Sequence, residues 1–203
     1  MSDSTGQFVW YELMTSDTAA AEAFYRSVVG WSIKDAGMPG MAYSLLSAGD
    51  KSVGGLMALP AEVSASGVPP HWAGYIWVSD VDAYVAKVVA AGGKVCRAPD
   101  DIAGVGRFAV MGDPDGATFI LFTEASGSNA PPAPPNTPGH VGWHELYAGD
   151  GARAMAFYGA LFGWTQDQAM DMGPMGTYYI FAINGVPSGG MMTRPPAVPV
   201  AHW

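Results

Sequence analysis

The chain has 203 residues, 49% of them apolar, and sets 9 Lys and Arg against 18 Asp and Glu for a formal charge of −9. It can bury one or two ordinary cores, and its negative field repels phosphate backbones and anionic lipid, which argues against nucleic acid or a membrane surface as partner. No apolar run approaches the roughly 18 residues of a membrane span, Met1-Ser-Asp-Ser-Thr-Gly6 lacks the basic and apolar regions of a secretory signal, and the single cysteine, Cys96, precludes an intrachain disulfide and agrees with a cytoplasmic setting.

In chain order, Phe8 to Met14 carries Trp10 and Tyr11 in a pattern that suits a pleated surface, and it predicts a strand. Ser16 and Asp17 can cap the next element. There Ala20, Ala23, Phe24, Ser27 and Val28 form a helical stripe, Gly30 supplies the left-handed stop, and Phe24, Tyr25 and Trp31 are expected between helix and sheet. Tyr43 to Ala48 and Val53 to Leu59 read as strands that turn at Gly49-Asp50. A stretch rich in Ser, Gly and Pro, Pro60 to Pro70, then breaks the pattern.

The same plan follows again. His71 to Val78 reads as a strand, Ser79-Asp80 as a cap, and Val81, Tyr84, Val85 and Val88 as one side of a helix that Gly92-Gly93 ends. Strands are expected around Lys94 to Arg97, Gly106 to Met111 and Ala117 to Phe122. Asp113-Pro-Asp-Gly116 signals a hairpin, with Pro and Asp setting the turn and Gly116 taking the positive φ. Ala125 to Gly139, with five prolines, reads as an extended linker.

Beyond the linker the beginning of the chain returns. Trp10, Glu12, Leu13, Asp17, Phe24, Tyr25, Gly30 and Trp31 recur as Trp143, Glu145, Leu146, Asp150, Phe157, Tyr158, Gly163 and Trp164. Tyr43, Gly54, Gly55 and Met57 recur as Tyr178, Gly189, Gly190 and Met192, and Pro70-His71-Trp72 is echoed by Ala201-His202-Trp203. An internal repeat of this length defines the structural unit. Residues 1–124 therefore read as a first module of two βαβββ units, about 7–60 and 70–124, residues 125–139 as the linker, and residues 140–203 as the first unit of a second module. A second copy as long as the first would need some fifty further residues, so the chain reads as three quarters of a two-copy protein. A third unit without a partner also suggests a homodimer.

The βαβββ pairs, the Ala-Phe-Tyr-x-x-Val-x-Gly-Trp helix end at Ala23–Trp31, the Ala-x-Gly-Gly after the second helix and the Asp-Pro-Asp-Gly hairpin together resemble the vicinal oxygen chelate superfamily, which holds glyoxalase I, bleomycin-resistance proteins and extradiol dioxygenases. The resemblance is closest to tandem glyoxalase-like proteins and implies an α+β fold. In it, curved half-barrel sheets enclose a site between concave faces, with helices outside. For the enzymatic members it implies one divalent cation held by His or Glu side chains of the first and last strands of each unit. Here those positions fall near Trp10, Ala73 and Ile120. Apolar side chains cannot hold a cation, so a cavity without the metal is expected.

Strand alternation puts Trp10, Glu12 and Met14 on one face, and His71, Ala73, Tyr75 and Trp77 on one face. Glu12 and Glu145 stand out, because a carboxylate in an apolar strand is costly unless paired. They are the candidate cavity acids, able to accept hydrogen bonds from a ligand or to act as bases. Trp10, His71, Tyr75, Trp77, Met111, Trp143 and Tyr147 are the candidate ligand-binding residues, with Met191 and Met192 adding polarizable lining. His71, preceded by two prolines at a strand entrance, reads first as a half-exposed packing or capping histidine, and His144, opposite Trp143 and Glu145, as structural. Two functions follow: a protein that binds a small aromatic or amphipathic molecule between concave sheets, or a metal-dependent lyase, isomerase or dioxygenase using Glu12 with His71 and Glu145 with His202.

Overall fold

The computed structural model describes residues 4–38, 40–126, 133–134 and 136–203. It divides into two compact units: one holds Trp10–Gly74 and the stretch reaching Gly142, the other the N-terminal residues to Val9, the stretch from Tyr75 and Trp143–Trp203. None of the described helices is long and apolar enough to cross a membrane.

In chain order the elements are β1 (Phe8–Thr15), α1 (Thr18–Val28), β2 (Ser32–Asp35), β3 (Tyr43–Ala48), β4 (Lys51–Ala58), α2 (Ala61–Ala65), β5 (His71–Trp77), α3 (Val81–Ala90), β6 (Lys94–Ile102), β7 (Gly106–Gly112), β8 (Thr118–Glu124), β9 (His144–Ala148), α4 (Gly151–Phe162), β10 (Thr165–Asp171), β11 (Thr177–Ile183) and β12 (Val186–Thr193). The α+β class and the repeated βαβββ plan expected from the sequence are what the chain forms. Each major helix begins at the expected aspartate: the carboxylates of Asp17, Asp80 and Asp150 accept from the backbone N–H of Ala20, Ala83 and Arg153 at 2.9, 3.0 and 2.9 Å. A cap of this kind contributes about 1 kcal/mol.

In the unit of Trp10–Gly74 the strands lie in the order β2-β3-β4-β1, with β1 and β4 parallel. Leu13, Ile33, Leu46, Val53 and Leu56 form its core, with Ala21, Tyr25, Trp31 and Trp72 packed against it. Tyr25 stacks on Trp31 at 5.4 Å and accepts a hydrogen bond of 2.9 Å from Trp72 Nε1. Trp31 Nε1 donates to the carbonyl of Gly139 at 2.7 Å, so the end of the proline-rich segment is fastened to this unit.

The stripe on α1 departs from expectation. Ala20, Ala23, Phe24, Ser27 and Val28 are all exposed, and α1 contributes no fully buried residue. The helix covers its sheet with Ala21 and Tyr25 instead. Tyr25 and Trp31 do lie between helix and sheet, whereas Phe24 does not.

The second unit explains what such a stripe can do. Its strands form β5-β8-β7-β6 and β10-β11-β12-β9, and one core joins them through α3 and α4. Here Phe157, Leu161 and Phe162, the repeat equivalents of Phe24, Val28 and Val29, are buried beside Val81, Tyr84 and Val88 of α3. The rings of Tyr84 and Phe162 stack at 6.1 Å with an interplanar angle of 1°.

The Asp-Pro-Asp-Gly hairpin clasps the two βαβββ units of this core together. Asp113 is buried and accepts from the N–H groups of Asp115 and Ala117, each at 2.9 Å, and from the hydroxyl of Tyr158 at 3.1 Å. Tyr158 in turn accepts from Trp203 Nε1 at 2.9 Å, and Asp115 pairs with Arg153. The net of bonds satisfies a carboxylate and a phenol that burial would otherwise penalise.

Candidate functional site

On the face of β1 turned away from α1 the sequence places Trp10 and Glu12, and the neighbouring strands add a residue that strand alternation within β1 could not reveal. Tyr43 lies across Gly55, where an added Cβ would fall 1.9 Å from the tyrosine oxygen. Only glycine permits that approach. The Tyr43 hydroxyl accepts from Trp10 Nε1 at 2.9 Å and hydrogen-bonds to Glu12. Glu12 is 8% exposed. Burial, followed by the charge of Glu12, raises the Tyr43 pKa, so the phenol stays protonated and can donate to the carboxylate.

The same arrangement is built a second time. Trp143 Nε1 donates to Tyr178 Oη at 2.9 Å, and Tyr178 lies over Gly190, where a Cβ would fall 2.0 Å from its ring and oxygen. Burial and the charge of Glu145 raise the Tyr178 pKa. Tyr147 and Tyr178 share this face, each paired with Met192 in the register of β9, β12 and β11. The two versions differ in access: Glu145 is exposed and Trp143 is 42% exposed.

A third aromatic face belongs to β5, β8 and β7. The register sets Tyr75 beside Ile120 and Trp77 beside Phe122, which pairs with Phe108. Tyr75 and Phe122 meet edge to face at 5.8 Å, and the Arg97 guanidinium lies over Phe108. Trp77 Nε1 is a buried donor that finds no acceptor among the described residues. Met111, a candidate lining residue, sits on the other side. It pairs with Phe119, is fully buried in the core against the helices, and joins none of these faces. Met191 shares that fate, while Met192 remains on the aromatic side.

The histidines take local roles. His71 Nδ1 lies 2.8 Å from the Pro69 carbonyl and His202 Nδ1 lies 3.1 Å from that of Val200, the same two-residue span in both copies. His144 stacks on Phe8 with ring centroids 3.9 Å apart and meets the Ser188 carbonyl at 2.7 Å. Its burial lowers its pKa to about 4, so it is neutral at pH 7.

The donor set does not suit a cation. The first-strand position is an indole whose N–H is engaged with Tyr43, and Ala73 and Ile120 have no ligating atom. Among the described residues no three His, Cys, Asp or Glu side chains converge.

Sheets built from βαβββ units, helices on one side and aromatic faces bearing a carboxylate on the other, define a fold class rather than a single chemistry. The model of the Glyoxalase/Bleomycin resistance protein/Dioxygenase superfamily matches residues 7–121, and the chain belongs to that family. CFP32 of Mycobacterium tuberculosis, which carries a glyoxylase name, is 45% identical over 124 residues, covering 61% of this chain and 46% of that protein. The anthracycline biosynthesis protein DauV of Streptomyces sp. strain C5 is 32% identical over 169 residues, covering 78% of this chain and 61% of that one. The Mn(II)-bound glyoxalase of Novosphingobium aromaticivorans shares the fold at a TM-score of 0.63 and 20% identity, over 95% of this chain and 62% of that one. The chain thus spans about half the length of the mycobacterial relative.

Proposed function

We propose that this protein binds a small flat aromatic molecule, or an amphipathic one with such a ring, on its aromatic sheet faces without a resident cation. The observation that supports this reading is the tryptophan, tyrosine and glutamate group laid over glycine, which the chain constructs twice from separate stretches of sequence. Trp10 and Trp143 offer flat apolar walls. Glu12 and Glu145 accept hydrogen bonds from ligand hydroxyl or amine groups, and the tyrosines hold those carboxylates by donating to them or through their proximity. The buried N–H of Trp77, without an acceptor among the described residues, suits a carbonyl acceptor on a ligand. The relative named for anthracycline biosynthesis adds a polycyclic aromatic as the class to try first.

The test is a titration with a dihydroxyanthraquinone, followed by quenching of tryptophan fluorescence. Saturable binding that weakens about tenfold or more in Trp143→Ala or Glu145→Gln supports the reading, a tenfold change being about 1.4 kcal/mol. Absence of saturable binding by a panel of hydroxylated polycyclic aromatics would overturn it. The alternative, a metal-dependent lyase, isomerase or dioxygenase, requires a ligand set beyond Glu12 and His71 and predicts that binding depends on added divalent metal.

A further inference from the structure

His71 and His202 are held in one and the same way in the two copies. Each imidazole sets Nδ1 on the main-chain carbonyl two residues before it, Pro69 at 2.8 Å and Val200 at 3.1 Å. A carbonyl oxygen can only accept, so Nδ1 carries the proton. In the neutral ring Nε2 is then a lone-pair acceptor. Among the described residues no hydrogen bond reaches Nε2 of His71.

The residue that follows each histidine fixes which side of the sheet the ring takes. Trp72 packs against the core beneath α1 and donates through Nε1 to Tyr25 at 2.9 Å, and Trp203 donates to Tyr158 beneath α4 at 2.9 Å. Alternation turns the preceding histidine to the opposite face, the one that carries Trp10 and Glu12 in one copy and Trp143 and Glu145 in the other. In the second copy the placement is explicit. His202 and Tyr147 exchange both main-chain hydrogen bonds, each at 3.0 Å, and their rings lie 5.6 Å apart. Glu145 stands two residues before Tyr147 on the same face of β9, which makes it the diagonal neighbour of His202, roughly 7–8 Å away. In the first copy Met14 is the repeat counterpart of Tyr147, and β5, which begins at His71, lies beside β1 in the sheet, so His71 and Glu12 share that relation.

We infer that His71 and His202 are ligand-binding residues, each accepting at Nε2 one hydroxyl of an aromatic molecule whose second hydroxyl goes to the glutamate of the same copy. This ligand class rests on the binding proposed for the aromatic faces and narrows it to rings with at least two hydroxyl donors. Carboxylate and imidazole lone pair are both acceptors, so a methyl ether at either position finds no partner.

The experiment is a fluorescence titration of the full chain with a dihydroxyanthraquinone and with its monomethyl ether. Wild type is expected to bind the diol about three- to tenfold more tightly, the worth of one hydrogen bond to a neutral acceptor. His71→Asn with His202→Asn keeps an N–H near the Nδ1 position for the main-chain carbonyl and lacks the acceptor at Nε2, so it should bind diol and ether alike. His71→Gln with His202→Gln sets an amide oxygen near Nε2 and should keep the preference for the diol. A merely structural role would weaken both ligands together and leave their ratio as in wild type. No preference in wild type, a preference that survives in the Asn variant, or one lost equally in the Gln variant would overturn the inference and leave the binding of aromatics standing. No saturable binding of either compound by wild type would overturn both.

Discussion

The buried and the open versions of the aromatic group make a paired prediction, because one substitution applied to both should have unequal cost. Tyr43→Phe removes the oxygen that accepts from Trp10 Nε1 at 2.9 Å and bonds to Glu12, itself 8% exposed. It strands the Trp10 donor and takes one partner from the Glu12 carboxylate in a site that water reaches poorly. Each unsatisfied buried group costs about 1–3 kcal/mol. With residual solvation of the partly exposed Trp10, a net loss of about 2 kcal/mol is expected. Tyr178→Phe breaks the same 2.9 Å bond, but Trp143 is 42% exposed and Glu145 is exposed, so water takes the vacated place. Its loss should be about 0.5 kcal/mol or less. Urea denaturation followed by circular dichroism, compared at unchanged m, measures both. At about 2–4 °C per kcal/mol for a chain of this size, the thermal midpoints should fall by roughly 4–8 °C and under about 2 °C. Equal losses, or a larger one for Tyr178→Phe, would refute the assignment of Tyr43 as the residue holding Glu12.

The other predictions are simpler. Gly190→Ala should abolish the Trp143 to Tyr178 bond and weaken dihydroxyanthraquinone binding, with the loss read by fluorescence titration, since the new methyl would fall 2.0 Å from the tyrosine. His144, with its folded pKa depressed to about 4, binds fewer protons when folded than its unfolded form near 6.5. Its contribution is complete above about pH 6.5 and is lost as pH falls from there towards 4, on the order of 3 kcal/mol across that window. His144→Gln should flatten this part of the stability profile, measured as the difference from wild type across pH 4 to 7. Asp113→Ala leaves the N–H groups of Asp115 and Ala117 and the Tyr158 hydroxyl without their acceptor, and a loss of about 2–4 kcal/mol in urea denaturation is expected.

Much of the fold was legible because the repeat exposes its own period. The aspartate caps at 17 and 80 and the hairpin at Asp113–Gly116 were read from local chemistry and formed as read, and Asp150, the repeat counterpart of Asp17, caps α4 in the same way. The strands β2 and β10 were missed. Ser32–Asp35 is only four residues, and Thr165–Asp171 is exposed throughout, so neither carries the apolar alternation that marks a half-buried strand. Helix α2 fell inside a segment read as a break, where a five-residue helix with no buried side chain leaves little periodic signal. The α1 stripe misled for a different reason: amphipathicity identifies a face that wants burial without saying whether a sheet or another helix provides it.

At the candidate site, the shared face of Trp10 with Glu12 and of Trp143 with Glu145 was read by alternation within a strand. Tyr43 and Tyr178 were not, because they reach Trp and Glu across the sheet over a glycine. The signal was present all the same, in the joint return of Tyr43, Gly54 and Gly55 as Tyr178, Gly189 and Gly190. Met111 was placed on the wrong side by composition alone, with no register to fix its face.

The most direct measurement is the affinity of a dihydroxyanthraquinone for protein dialysed against chelator, repeated with Mn²⁺ or Zn²⁺ restored. Dissociation constants within about threefold of each other are expected if indole, phenol and carboxylate make the site. Binding that appears only with the ion, or tightens by tenfold or more on its return, would contradict the account.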